Sequence, residues 1–232
     1  MTASSPATLR PANADAARRR WICILALLAA FIVALAIDIP VSTWCHDRHL
    51  GDKITSAPHL RLLLRFPGLI WFPLIACAAL FLRDWLGGNR TRMGSDSALV
   101  ALAALFSGVN ALLKWAIGRI RPFKGVGPFQ LHPFKGGLHG SMLAEQNLTF
   151  PSGDASLAFA MAASLSMVAP RLAPLWWLLG IMVALERIAE GAHYPSDTVG
   201  GAALGIAAAL AARAIIAFVW RPQSGRTMDH HG

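Results

Sequence analysis

Residues 193–220 read HYPSDTVGGAALGIAAALAARAIIAFVW. The run from Val199 to Trp220 is almost wholly apolar and long enough to cross a bilayer, which takes about 20 residues. A histidine and an aspartate, His193 and Asp197, stand just ahead of it. A membrane span and a candidate for chemistry therefore meet at one point. Outward from this stretch, five more apolar runs recur, roughly Trp21–Ile37, Phe66–Leu82, Ala98–Ile117, Ala155–Ala169 and Leu172–Leu185. Together they predict an all-α, polytopic membrane helix bundle of six transmembrane helices. The fourth and fifth runs fall short of about 20 residues, and polar residues are expected to extend both at one end, as in helices packed inside a bundle.

Composition agrees with that class. Of 232 residues, 55% are hydrophobic and only 14% charged, with mean hydropathy +0.50. A soluble domain rarely has this profile. The formal net charge of +9 would suggest nucleic acid on a soluble protein. Here a positive-inside bias and an anion site account for it, so no nucleic-acid partner is expected. Cys23 and Cys77 lie inside apolar runs and Cys45 stands apart, which argues against a disulfide framework. Arg18-Arg19-Arg20 precede the first run in the manner of a signal peptide. No small-residue cleavage site with a polar spacer follows it, so the first run is expected to stay as a helix.

Six spans put both termini on one side. Arg10, Arg18, Arg19, Arg20, Arg83, Arg90, Arg92, Arg171, Arg221 and Arg226 would share that side, which makes it cytoplasmic. The expected organisation is a basic cytoplasmic segment at 1–20, a six-helix membrane domain at 21–220 and a cytoplasmic tail at 221–232. The longest connection, Gly118–Phe150 between helices three and four, falls on the opposite, non-cytoplasmic face. It holds a near-repeat, Pro122-Phe123-Lys124-Gly125 and Pro133-Phe134-Lys135-Gly136. Either the repeat is chance in a Pro/Gly-rich loop, or it forms two basic-aromatic knuckles at headgroup level.

Three polar segments interrupt the apolar pattern, and all three fall on that same face. The first is Lys114, six residues, then Arg121-Pro122. The second is Pro151-Ser152-Gly153-Asp154. The third is Glu186-Arg187, five residues, His193, three residues, Asp197. Lys114 and Arg121 are two helical turns apart and are expected to share a face, with Pro122 ending their helix. A phosphate needs opposed cations, and arginine offers a planar fork where lysine offers a point charge. Lys114 could instead snorkel to the interface. Ser152 is a plausible N-cap and Gly153 admits close backbone approach at a helix N-terminus, which binds anions; an ordinary capped turn would read the same. Pro195 makes a regular helix through both His193 and Asp197 unlikely. The carboxylate could still hold one ring nitrogen and leave the other free to attack phosphorus.

As a joint pattern these segments resemble the signature of the type 2 phosphatidic acid phosphatase family: Lys-x6-Arg-Pro, Pro-Ser-Gly-His and Ser-Arg-x5-His-x3-Asp. The match runs from Lys114 to Asp197 with the spacing of all three parts kept, and the six-span layout is similar to the family's integral membrane branch. The resemblance implies that Lys114, Arg121 and Arg187, helped by Ser152 and Gly153, bind phosphate. It implies His193 as the nucleophile that becomes a phosphohistidine and Asp197 as its orienting partner, with no metal and no cofactor. It also implies a multi-pass protein of a bacterial inner membrane with its site facing the periplasm. The substrate would be polyprenyl diphosphate, phosphatidylglycerol phosphate, phosphatidate or a lipid A phosphate. A lipid phosphotransferase using the same intermediate, or a non-catalytic lipid-phosphate binder, are the alternatives.

Two positions depart from the pattern. Asp154 stands where the family has its histidine general acid, and Glu186 where it has serine. Nearby cations would keep the Asp154 carboxylate ionised and a poor acid at neutral pH. It could position water instead, with His132 or His139 of the long loop as acid, or mark a site that has lost activity. Glu186 would add a partner for the cations.

Overall fold

The computed structural model describes residues 12–88, 94–122, 130–134 and 148–219. Most of the near-repeat, His139 and the tail at 221–232 lie outside the described residues. The elements, in chain order, are α1 (Ala12–Asp47), α2 (Leu50–Thr55), α3 (Pro58–Arg65), α4 (Trp71–Leu86), α5 (Ser95–Ser107), α6 (Asn110–Ile117), α7 (Gly153–Val168), α8 (Ala173–Ala189) and α9 (Pro195–Val219). Among the described residues there is no strand beyond two isolated antiparallel bridges, Arg119 with Leu131 and Ile120 with Leu148.

Four helical stretches are long and apolar enough to cross a membrane: Trp21–Asp47, Ser95–Ile117, Pro170–Ala189 and Pro195–Val219. Pro58–Gly68 and Trp71–Leu86 pass that test as a pair, bent by 58°. The sixth expected run is α7, an apolar helix of 16 residues that is too short to qualify alone. Each expected run thus has a helix, while the count of membrane crossings rests at four or five by length and composition.

Three boundaries differ from the sequence reading. The first helix includes the basic residues ahead of Trp21 and continues past Ile37 to Asp47, through Pro40. The second expected run opens on a short 3-10 turn, Phe66–Gly68, ahead of α4. The third is broken at Gly108 and ends earlier than Pro122 suggested. Gly118 caps α6 with φ 66°, a left-handed conformation that favours glycine, and a Cβ there would sit 2.0 Å from the His132 carbonyl oxygen. Arg121 is therefore not on the helix that carries Lys114. It follows in an extended segment, where Ile120 donates its N–H to Gln130 O and Thr149 donates its N–H to Arg119 O.

The core is built from small side chains. α9 lies against α7 through Ala202, Gly205, Ala208, Ala209 and Ala212, opposite Ala155, Ser156, Ala160 and Ala163. A Cβ on Gly205 would fall 2.2 Å from the Ser156 carbonyl oxygen. Small residues that let helix backbones touch are the usual packing device where lipid removes the hydrophobic drive between helices. Large apolar side chains point outward instead, among them Trp21, Leu25, Ile32, Leu74, Phe81 and Leu210. That inversion suits a hydrocarbon surround. The buried positions hold Asp38, Lys114, Arg119, Glu186, Arg187, His193 and Asp197, and these converge at one end of the bundle.

Candidate active site

The tight α6 cap and the two bridges carry Arg119, Arg121 and Thr149 to the mouth of α7 and α9. Ser152 caps α7, its Oγ accepting from the Ala155 N–H at 3.4 Å, and its own N–H donates to the Asp197 carbonyl at 3.0 Å. The phosphate-loop segment and the α9 segment are thereby tied backbone to backbone. His193 lies in the turn between α8 and α9, which Pro195 opens at its first position, as the proline predicted.

His193 does not meet Asp197 directly. Its Nδ1 is 3.7 Å from Asp197 Oδ2, beyond a normal hydrogen bond, and 2.9 Å from Thr149 Oγ1. The same threonine hydroxyl donates to Asp197 Oδ2. A carboxylate only accepts, and a hydroxyl has one proton to give. Nδ1 must then be the protonated nitrogen, donating to Thr149 Oγ1, which leaves Nε2 with a lone pair. Burial pushes the His193 pKa down to about 4; the Asp197 carboxylate opposes this, and the Arg121 and Lys114 cations reinforce it. The imidazole is neutral at neutral pH and bears its lone pair on Nε2.

Asp197 is itself heavily anchored. Oδ1 accepts from Arg119 Nη1 at 2.6 Å and Oδ2 from the Tyr194 N–H at 2.7 Å. Arg119 also reaches Ser196 Oγ at 2.8 Å and Asp38 Oδ2 at 2.9 Å, and its guanidinium lies 4.0 Å over the Tyr194 ring. Asp38, from α1, accepts in turn from the Ser196 N–H at 2.8 Å and Ser196 Oγ at 2.5 Å. A buried charge is tolerable only when paired and hydrogen-bonded on several sides, and this network meets that condition across α1, the extended Arg119 segment and α9.

A second cluster stands beside the first. Asp154 Oδ2 accepts from Arg65 Nε at 2.9 Å and lies 3.3 Å from Arg187 Nη1. Arg187 also donates to Glu190 Oε2, while Glu190 Oε1 accepts from Arg61 Nη2 at 2.5 Å. Glu186 is buried 3.6 Å from Arg187 Nη1, and neither of its carboxylate oxygens has a hydrogen-bond partner among the described residues. A cavity of about 400 Å³ opens here, lined by Arg61, Arg65, Arg121, Arg187 and Glu190. An apolar groove of about 490 Å³ runs against the same two helices, between Ile54 and Leu64 on one side and Leu178, Ile181, Met182 and Leu185 on the other.

The structure thus brings Lys114, Arg121, Ser152, Gly153, Asp154, Arg187, His193 and Asp197 to one end of the bundle. A family model, the PAP2 superfamily, matches residues 97–221, more than half of the chain. The chain belongs to the PAP2 superfamily. It is 31% identical over 205 residues to a lipid A 1-phosphatase of Rhizobium johnstonii, covering 80% of this chain and 77% of the relative. A lipid A 1-phosphatase of Rhizobium etli is 32% identical, covering 80% and 81%. An undecaprenyl-diphosphatase of Sulfolobus acidocaldarius is 28% identical over 142 residues, covering 59% and 58%. Among solved structures, Aquifex aeolicus LpxE aligns with TM-score 0.50 at 21% identity over 72% of this chain and 93% of that one. A transmembrane PAP2-type phosphatidylglycerolphosphate phosphatase from Bacillus subtilis aligns with TM-score 0.53 at 20% identity over 82% and 94%. These two likenesses support the membrane fold.

Five residues join the PAP2 motif positions that the spacing picked out. Thr149 sits two places ahead of the Pro-Ser-Gly turn, and a hydroxyl there carries no signal of its own. Arg119 lies inside the Lys-x6-Arg interval, where the motif leaves it anonymous. Asp38 follows directly on the run Trp21–Ile37 and read as an acid at the end of a span, whereas the helix carries on past it to Asp47. Arg61 and Arg65 are four apart on α3, a helical spacing that puts both on one face, but they read as ordinary loop cations.

Proposed function

We propose that this chain is a multi-pass enzyme of the bacterial inner membrane that hydrolyses a phosphate from a membrane lipid through a phosphohistidine on His193. The observation that carries the reading is the neutral His193 with its Nδ1 proton committed to Thr149, in a family whose named relatives are lipid-phosphate phosphatases. Nε2 attacks phosphorus, the bond from phosphorus to the lipid oxygen breaks, and the electron pair leaves with that oxygen. The positive charge that develops on the ring is stabilised by Asp197 through the intervening hydroxyl. Water then attacks the phosphohistidine, the N–P bond breaks with its electron pair returning to Nε2, one water proton stays on the departing inorganic phosphate and the other neutralises the lipid oxygen, and neutral His193 returns. Lys114, Arg121 and Arg187, with the amides at the start of α7, hold the phosphate oxygens.

These side-chain cations and backbone amides supply the charge stabilisation, so turnover is expected to need no divalent metal. Six crossings, with the short α7 held inside the bundle, would place the site on the periplasmic face. The apolar groove between α3 and α8 supports a substrate with a hydrocarbon chain, its headgroup in the adjoining arginine-lined cavity. Asp154 is engaged by two guanidiniums and is unsuited to give a proton to an alkoxide. That favours leaving groups that carry charge well, a phosphate from a diphosphate or the anomeric oxygen of a sugar 1-phosphate.

Phosphate release from a panel of these lipids in detergent, with His193→Ala as control, tests the reading. The variant should lose at least about 10³-fold in kcat while keeping the wild-type melting temperature. Substantial turnover in His193→Ala would remove the phosphohistidine, and no release from any lipid by the wild type would remove the phosphatase.

A further inference from the structure

The cavity next to the His193 turn, reached at Ala192, carries more arginines than the motif supplies. Four arginines line it. Two of them, Arg121 and Arg187, belong to the motif. The other two, Arg61 and Arg65, come from α3, which precedes the stretch 97–221 matched by the family model. They lie outside the three motif segments and outside the stretch that the family model matches.

Both are held in place by carboxylates that leave donors to spare. Arg65 reaches Asp154 through Nε, so its two terminal amino groups, which in arginine form the outer edge of the fork, make no hydrogen bond to a described residue. Arg61 reaches Glu190 through Nη2, and its buried Nε has no hydrogen-bond partner. Both arginine side chains line the cavity and are about a third exposed, while the Glu190 and Asp154 side chains are less so, at 10% and 20%. Asp52 and Glu190 also line the cavity, so its four guanidiniums outnumber two carboxylates and the surface stays net cationic toward an incoming anion. Arg187, between Asp154 and Glu190, joins this surface to the phosphate pocket.

We propose that Arg61 and Arg65 form a second anion subsite that binds a second phosphate on the lipid headgroup, making a doubly phosphorylated lipid the preferred substrate. This rests on the phosphatase reading above. The second phosphate has two chemical sources. It is either the leaving phosphate of a diphosphate, adjacent to the one attacked, or a phosphate elsewhere on a sugar headgroup. Both present a dianion that a planar arginine fork binds in bidentate fashion.

The test uses the full-length protein in detergent and two matched pairs: a polyisoprenyl monophosphate with its diphosphate, and a glycolipid disaccharide carrying one phosphate with the same lipid carrying two. The quantity read is the ratio of kcat/KM for the doubly over the singly phosphorylated member. Arg61→Gln and Arg65→Gln should each lower that ratio by about ten-fold or more in one pair, the loss expected for one charge-assisted contact. The pair that responds names the source of the second phosphate. Ratios that stay within about two-fold of wild type in both pairs, or equal losses on both members of each pair, overturn the subsite. If the glutamine variants do not purify as folded protein, Arg61→Lys and Arg65→Lys carry the same test, since they keep the charge and lose the fork. Binding of each pair to His193→Ala protein, with and without the arginine changes and read by thermophoresis, gives the same ratio without turnover. A subsite seen there with no phosphate release by the wild type would separate failure of the phosphatase reading from failure of this one.

Discussion

Thr149 stands between the two residues that the motif would pair directly. If its hydroxyl passes the polarising effect of Asp197 to His193, removing the hydroxyl should cost activity while the chain stays folded. Thr149→Val keeps the shape and should lower kcat by about 10²-fold or more, the scale of a misoriented catalytic group. Thr149→Ser keeps the hydroxyl and should restore most of the rate. Equal loss in both variants would mean that the methyl group, and so packing, is what matters. His193 adds a prediction of its own. The neutral imidazole is the attacking form, and its pKa is lowered by burial to about 4, so it stays competent as pH falls below the ordinary histidine value of about 6.5. Imidazole ¹⁵N signals of His193, assigned by comparison with His193→Ala, should titrate near pH 4 in the ligand-free protein. A midpoint at 6 or above would mean that the site is wetter and less cationic than described. The sequence held the identities of His193 and Asp197 through spacing alone. It could not hold the threonine between them, because a 3.7 Å gap is a property of backbone placement.

Helix by helix, the apolar runs were legible because each is bounded by charge, proline or glycine. What the runs concealed was the interruption of one helix at Gly108 and its end at Gly118. Periodicity spoke for a continuous face from Lys114 to Arg121, and the contact of Gly118 with the His132 carbonyl, a non-local effect, overrode it. The closeness of α7 and α9 leads to a test. Gly205→Leu would drive a side chain into the Ser156 carbonyl, and two helices cannot separate there without lifting Ser152 and Asp197 apart. Overpacking costs about 1–3 kcal/mol where side chains can yield, and more is expected against backbone, so the variant should lose both thermal stability and phosphate release. A fully active Gly205→Leu protein would show that this helix pair is looser than drawn. The first turn of α7 also carries Asp154, gripped by α3 and α8. Asp154→His would restore the family's acid but leave Arg65 and Arg187 facing each other without the carboxylate between them. Activity should therefore fall on diphosphates and sugar 1-phosphates alike. A gain on simple phosphomonoesters alone would show that the missing acid sets the preference for good leaving groups, and its absence in a folded, active Asp154→His protein would count against that preference.

For the molecule as a whole, orientation is the open physical variable, and the loop between α6 and α7 decides it. In a chain whose Cys23, Cys45 and Cys77 are replaced by serine, Ser141→Cys should react with a membrane-impermeant maleimide added from the periplasmic side. Labelling only after the cytoplasmic side is opened would invert the bundle. A different constraint follows from the buried contact between Asp38 and Arg119. Asp38 belongs to α1, which leaves the ribosome ahead of its partners, and an acid in a membrane helix costs up to about 2.5–3.5 kcal/mol on insertion scales, the value at the helix centre. Its guanidinium partner is encoded 81 residues later, and the Ser196 donors that complete its shell come 158 residues later. At about 5–20 residues per second, that shell is not complete for roughly 8 to 30 s after Asp38 is made. Until α9 arrives α1 is an unfinished part, and whatever escorts nascent helices into the bilayer must shelter its carboxylate for that interval.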